Sequence, residues 1–369
     1  MTISINTAPV QSNSVEWNEE FGIFVATGFD AVSAVLRGTG WSSDPRKFPQ
    51  VPAEIQELPA TILLFMDPPD HGELRRLLSP AFTPRSIERV RSRVVAVVDA
   101  ALDAFEGDEV ELMSDFAYLV PIAVIAELLD VGPEGAELFL DETPALVKML
   151  ELDATPEELA ASVDASIEIM LGLTPIIAER KNNLGDDLLS QLLSIDGISI
   201  DEVASTLILL LAAGHETTAN LIGNGTLAIA NQPAQKQHLL ADPARAVEEL
   251  LRLEGPVKRS GRLAVVDQNV GGIDVPAGSY IYLDLQQANV DPAHFDDPLR
   301  LDLSREPKGH LAFGAGAHFC IGASLARLEA AEALSRLFTR FPDLAVPPEP
   351  AWRTSMTFHA LDELPVALG

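Results

Sequence analysis

One cysteine in 369 residues excludes an internal disulfide framework and any zinc module built on repeated CxxC pairs. Basic residues are scarce as well: 25 Lys and Arg face 55 Asp and Glu, giving a net charge of −30. Nucleic-acid binding draws most of its affinity from cations that neutralise phosphates, so this balance argues against a duplex partner. The longest uninterrupted apolar run, LILLLAA at 207–213, falls far short of the ~18–20 residues that cross a bilayer, and no membrane span is expected. The opening MTISINTAPVQSNSV lacks both a basic n-region and an apolar h-region. With the single cysteine, these absences describe a cytoplasmic chain.

What is present describes a globular protein with a large core, since 47% of the residues are hydrophobic. Residues 1–15 are polar and aperiodic and read as a mobile arm. FGIFVATGFDAVSAVLRG predicts a short strand, a turn at Gly28 and a helix stopped at Gly38. From about Asp67 to Pro233, apolar residues recur at three- and four-residue intervals, the mark of helices. Segments 261–285 and 352–368 instead carry β-type residues between Gly, Pro and Asp turns. The expected architecture is mainly α with small antiparallel β-sheets.

Three stretches could carry chemistry. Ser199 and Glu202 form a capping-box spacing and Pro233 ends the pattern, so 199–233 predicts one long helix with AAGHETTAN at its centre. Gly214 costs such a helix ~1 kcal/mol against Ala. Either its Thr hydroxyls bond back to carbonyls in a buried helix, or the helix opens where a ligand can sit, with Glu216 and Thr217 able to pass protons. A zinc-protease helix would need a second His at 219, which is Ala, so His215 reads as a core or helix-surface residue. In EELLRLEGP, Glu249 and Arg252 share a helix face, the spacing of an ordinary solvated salt bridge.

The third stretch, HLAFGAGAHFCIG at 310–322, holds the one cysteine, just before an amphipathic helix. A helix N-terminus favours thiolate, and Gly314, Gly316 and Gly322 let backbone approach a flat ligand. Such a thiolate can serve as nucleophile, zinc ligand or axial haem ligand. Zinc is poorly served by Cys320 and His318 alone, while a hydrolase would need a base that the sequence does not locate. GAGA lacks the third glycine of a dinucleotide fingerprint.

AGHETT at 213–218, ELLR at 249–252 and FGAGAHFCIG at 313–322, in this order, resemble the cytochrome P-450 superfamily in its soluble bacterial form. The last stretch matches the family's haem-binding loop at each defined position. FMDPPDHGELRRLLSPAFTPR and VPAGSYIYLDLQQANVDPAHF are also similar, so the resemblance runs from about Trp17 to the end and implies one P-450 domain over 16–369. It implies haem b held between a long distal helix and a proximal cysteine loop. Cys320 would be the axial iron ligand. His71, Arg75, Arg262 and His310 would hold the propionates, and Phe313, Gly314, His318, Gly322, Ala213 and Gly214 would line the haem. Glu216 and Thr217 would be the acid and alcohol that supply protons for O–O cleavage. Glu249 and Arg252 would become a buried structural pair, with Arg300 as third member. Two departures stand out: Glu73 replaces the usual basic residue in HGELRR, and Val290 the usual Arg in NVDP. Both lie outside the ligand and relay positions and bear on surface charge or local bracing.

The implied activity is monooxygenation of an apolar organic substrate by O2, with oxidative coupling or ring formation as the alternative reaction. A haem sensor or carrier would keep Cys320 without needing Glu216 and Thr217. The chain has no flavin or nicotinamide fingerprint, so electrons from NAD(P)H would arrive through ferredoxin reductase and a ferredoxin. Residues 71–93 carry six Arg and two Glu, a local +4 against −34 elsewhere, which suits an acidic carrier. The enzyme would be a monomer. Its pocket is expected to be aliphatic, since aromatics make up only 6% of the chain. The expected lining is 46–64, the 138–175 helices, Ala213, Gly214, Val257 to Gly261, Thr357 and Phe358.

Overall fold

The computed structural model describes residues 14–48, 61–306 and 309–369. Most of the expected arm lies outside the described residues. Its end, Val15, is already in strand Val15–Asn18, paired with Ala26. The helix predicted before Gly38 is Phe29–Arg37, with its amphipathic face on a five-stranded sheet.

That sheet departs from the expected β architecture, as does strand Glu109–Glu111, which lies in the stretch expected to be helical and pairs with Pro365–Ala367. Strands Val15–Asn18, Ile23–Ala26, Tyr280–Asp284, Arg259–Ala264 and Trp41–Ser42 lie in this order, and Ile23–Ala26 runs parallel to Tyr280–Asp284. A parallel pair needs a crossover rather than a hairpin, and here the helical body itself is the crossover. The remaining small sheets are antiparallel hairpins or strand pairs.

The long helix spans Ile200–Ala230, and Ser199 and Glu202 form the reciprocal cap read from the sequence. At 1.5 Å per residue it is about 46 Å long and runs through the whole body. Two apolar cores share it. One packs residues 203–212 against helices Leu119–Leu129, Gly132–Leu146 and Pro156–Asn182; the other packs residues 219–229 against Arg91–Asp103 and Ala323–Arg340. The changeover falls on residues 213–218. Pro156–Asn182 is long and apolar enough in composition to cross a bilayer, contrary to the sequence expectation. In this fold it buries Leu159, Val163, Ile169, Leu173 and Ile177 as a core helix does.

Glu249 and Arg252 are not a solvated pair. Both side chains on helix Pro243–Glu254 are buried, joined by two bonds of 2.8 and 2.9 Å. Arg252 also donates to the Asn289 and Pro298 carbonyls at 2.9 and 2.7 Å. The third member is Arg305, whose Nε donates to Glu249 at 3.0 Å. Arg300 instead pairs with Asp302 at the surface. The two arginines are five residues apart on one irregular segment, where only the backbone path decides which one turns inward. From Asn289 the network reaches the cysteine loop, since its Oδ1 accepts from the Leu311 amide at 2.7 Å.

Removing one partner of a buried ion pair strands the other charge, so Arg252→Ala should cost about 3–5 kcal/mol of stability. Urea unfolding checks this, and an unchanged midpoint would contradict the structural role.

Candidate active site

The cysteine loop is shaped by backbone approach. Gly316 has φ +70°, and a Cβ there would lie 2.4 Å from the Leu36 carbonyl oxygen, so only glycine passes beside helix Phe29–Arg37. Gly314 is also left-handed, at φ +66°. The Cys320 amide donates to the Phe313 carbonyl at 2.9 Å, closing the loop two residues before the Gly322 cap of helix Ala323–Arg340. Phe313 is held in turn by the Arg327 guanidinium, 4.5 Å above its ring.

Cys320 lies deep among protein atoms yet is only half-buried, so it borders a space inside the fold. Burial pushes its thiol pKa up; the Gly322 amide and the charges of Arg75 and Arg327 pull it down without prevailing. The helix terminus alone therefore does not make a thiolate here; a cation bound at the sulfur would favour one. Among the described residues no imidazole hydrogen-bonds the sulfur, which removes the base a cysteine hydrolase would need.

Four nitrogen-bearing side chains gather beside this sulfur. His71 and Arg75 stand at i and i+4 on helix Asp70–Leu78. Arg262 comes from strand Arg259–Ala264 and His318 from the loop. The imidazoles of His71 and His318 lie 4.0 Å apart, and Arg75 donates to the Phe319 carbonyl. Burial, followed by the Arg262, His71 and Arg75 charges, lowers the His318 pKa to about 3. His71 is lowered by burial and by Arg75 and Arg262, with Asp67 opposing. Its buried Nε2 has no partner. A set of mutually repelling donors with an orphaned nitrogen fits a dianionic ligand.

His310 is not part of this set. Its Nε2 lies 3.3 Å from Glu248, which also pairs with Arg327. Glu248 is destabilised by burial, but hydrogen bonds from His310 and Arg327 outweigh this and hold it at about 2. His310 enters the loop eight residues before His318 and meets Glu248 of helix Pro243–Glu254.

Opposite, the long helix opens along one face. Leu209, Leu210, Ala213, Gly214 and Thr217 are half-exposed within a helix otherwise buried from 203 to 227. Their spacing is a single stripe. A Cβ on Gly214 would meet only Ile125, at 3.4 Å. Thr217 Oγ1 donates to the Ala213 carbonyl at 2.6 Å. Thr206 and Thr226 make the same back-bond, so back-bonding is general here; Thr217 alone of the three lies on the open face. The back-bonded buried helix is what the structure shows, unbroken from Ile200 to Ala230 with Thr217 on its half-exposed stripe. Glu216 is buried and accepts from Asn220 at 2.8 Å and from Arg353. Arg353 escaped the sequence reading because it lies 137 residues from Glu216 and belongs to no motif.

His215 is a core residue, with both ring nitrogens unpartnered and its ring 5.3 Å from Tyr118. Burial lowers its pKa from 6.5 to about 4. The unfolded chain therefore binds the extra proton first, so stability is full above pH 6.5 and is lost as pH falls toward 4, by ~3 kcal/mol. His215→Leu should flatten this acid limb in unfolding measured across pH 7 to 4. An unchanged limb would contradict the assignment.

A cytochrome P450 family model matches residues 243–361. Cytochrome P450 107B1 of Saccharopolyspora erythraea is 42% identical over 319 residues, covering 83% of this chain and 77% of that protein. Vitamin D(3) 25-hydroxylase of Pseudonocardia autotrophica is 38% identical, covering 86% and 80%. Among solved structures, P450BioI in complex with an acyl carrier protein bearing hexadec-9Z-enoic acid superposes with a TM-score of 0.88 at 34% identity, covering 96% of this chain and 94% of that one. At these identities over most of its length, the chain belongs to the cytochrome P450 family.

Proposed function

We propose that this monooxygenase hydroxylates a bulky aliphatic substrate seated against the open stripe of the long helix, and that Cys320 is the residue that would hold the haem iron. The observation that carries this reading is the stripe itself, apolar from Leu209 to Gly214 and ending on the hydroxyl of Thr217. Phe358, expected in the lining, is fully buried in a small apolar cluster with Val147, Leu150, Val257 and Ala360. Thr357, also expected in the lining, is held by the Leu152 amide, which donates to its hydroxyl at 2.7 Å. Residues 49–60 of the expected lining lie outside the described residues. The 25-hydroxylation named for the vitamin D(3) relative is consistent with an apolar substrate.

The residues divide the work by position. Haem, when bound, supplies the dioxygen-activating centre, tuned by its thiolate ligand. His71, Arg75, Arg262 and His318 would take its propionates, relieving their mutual repulsion. Phe313 and the loop glycines hold the sulfur side, while Ala213 and Gly214 keep the opposite face clear. The overall reaction, RH + O2 + 2e⁻ + 2H⁺ → ROH + H2O, needs two protons delivered inside an apolar space. Glu216 would draw them from solvent and the Thr217 hydroxyl would hand them on. In this reading His310 only braces Glu248 and Arg327.

Electrons would come from a ferredoxin and its reductase, in the cytoplasm. Arg76, Arg85 and Arg89 are exposed and form no ion pair with a described residue, and Phe319, beside Cys320 in the chain, is 40% exposed. A basic ring with an apolar centre near the sulfur suits an acidic carrier. Arg91 is instead occupied by Glu88 and Glu332.

Two measurements test this reading. Thr217→Ala should keep consuming reductant while product falls about tenfold and hydrogen peroxide rises; intact coupling would remove the hydroxyl from the relay. Arg76→Glu with Arg89→Glu should slow reduction by ferredoxin most at low ionic strength, and a salt-independent rate would place the carrier elsewhere.

A further inference from the structure

The long helix carries a second stripe. Glu216, Asn220 and Asn224 stand at i, i+4 and i+8 and are all buried. This face meets the hairpin Ala351–Trp352 with Leu361–Glu363. At Gly223 a Cβ would lie 2.4 Å from Met113 Sδ and at an ordinary contact distance, 3.6 Å, from Leu361 Cδ1 of the hairpin. Asn224 ties the hairpin down, donating to the His359 carbonyl at 2.8 Å. The Arg353 amide donates to the Ala360 carbonyl at 2.9 Å, which aims its guanidinium at Glu216.

Arg353 and Asn220 converge on one oxygen, Glu216 Oε1. This leaves Oε2 without a donor among the described residues. The Arg353 side chain is 28% exposed and that of Glu216 is 5% exposed, so the guanidinium spans from solvent to the buried carboxylate. Two polar atoms beside the pair have no partner, the donor Arg353 Nε and the acceptor Asn220 Oδ1. A buried donor and acceptor left open at one place are the setting of an ordered water. The other groups facing the pair are Tyr118, His215 and Glu151, and Glu111 and Asp362 in turn face Tyr118. Burial and the Glu216 charge raise Tyr118 to about 12, so it stays protonated.

We propose that Arg353 and Asn220 are the positioning residues of the proton relay, holding the Glu216 carboxylate at the solvent end of its reach and making the Arg353 flank the route by which protons enter. The inference rests on the Glu216 and Thr217 relay proposed above. Successive helix residues point about 100° apart, so a carboxylate clasped through Oε1 faces the hairpin rather than the open stripe. A proton taken up on Oε2 at this end passes to Thr217 Oγ1 when the clasp opens. Each turnover moves two protons inward and leaves Glu216 in its starting state.

The test uses the full-length haem-loaded protein with its reductant system. Arg353→Gln should lower the fraction of electrons recovered in product about tenfold, the size of a strong pairwise coupling, with hydrogen peroxide making up the loss. It should also raise the solvent deuterium isotope effect on turnover, and Arg353→Lys should restore both. The infrared stretch of carbon monoxide bound to the reduced protein gives a readout independent of turnover; it should shift in Arg353→Gln and return in Arg353→Lys. If Arg353→Gln does not fold, Asn220→Leu removes the other tether and is read in the same way. If Glu216→Gln uncouples the enzyme while Arg353→Gln and Asn220→Leu do not, the positioning role is overturned and the relay stands. If Glu216→Gln and Thr217→Ala both stay coupled, the relay itself is overturned.

Discussion

Four nitrogen-bearing groups crowded beside one sulfur set the terms for everything else in this fold. His71, Arg75, Arg262 and His318 come from a helix, a strand and a loop, and burial with the charges of Arg262 and Arg75 disfavours protonation of both histidines. A polypeptide left to itself would separate them. They stay together because their backbones are fixed by other means, and the stored repulsion becomes affinity for a dianionic group. Of the four, Arg75 also acts on Cys320, lowering a thiol pKa that burial still holds up.

The loop that carries His318 and Cys320 is anchored at its start by the buried Glu249–Arg252–Arg305 network. Charges out of water are costly unless every lone pair and proton is used, and here the carboxylate and guanidiniums reach the Asn289, Pro298 and Asp296 carbonyls and the Asp302 amide. Through Asn289 the network pins Leu311, where the cysteine loop begins. From Leu311 onward the loop's shape follows from close backbone contact at Gly316. The long helix solves the opposite problem. Two apolar cores clamp its halves and leave a gap at the changeover, so its open face is a consequence of how the cores divide.

The sequence was most informative where one local geometry admits few residues. The capping box at Ser199, the glycines of the loop and the cysteine before its helix were legible because each needs a particular residue type nearby. Long-range choices were not. The choice of Arg305 over Arg300 beside Glu249, and of Glu248 over the haem side for His310, depends on how an irregular backbone turns. The parallel pairing of Ile23–Ala26 with Tyr280–Asp284 joins segments that no periodicity connects. Arg353 left no trace at all, because its meaning comes from a hairpin docked against Gly223.

The central claim is that Cys320 binds haem iron as a thiolate. The most direct measurement is the absorbance of the reduced protein with and without carbon monoxide, for the native chain and for Cys320→Ala. A strongly red-shifted Soret band that disappears in the variant is the predicted result. A band typical of histidine ligation, unchanged by the substitution, would contradict the account.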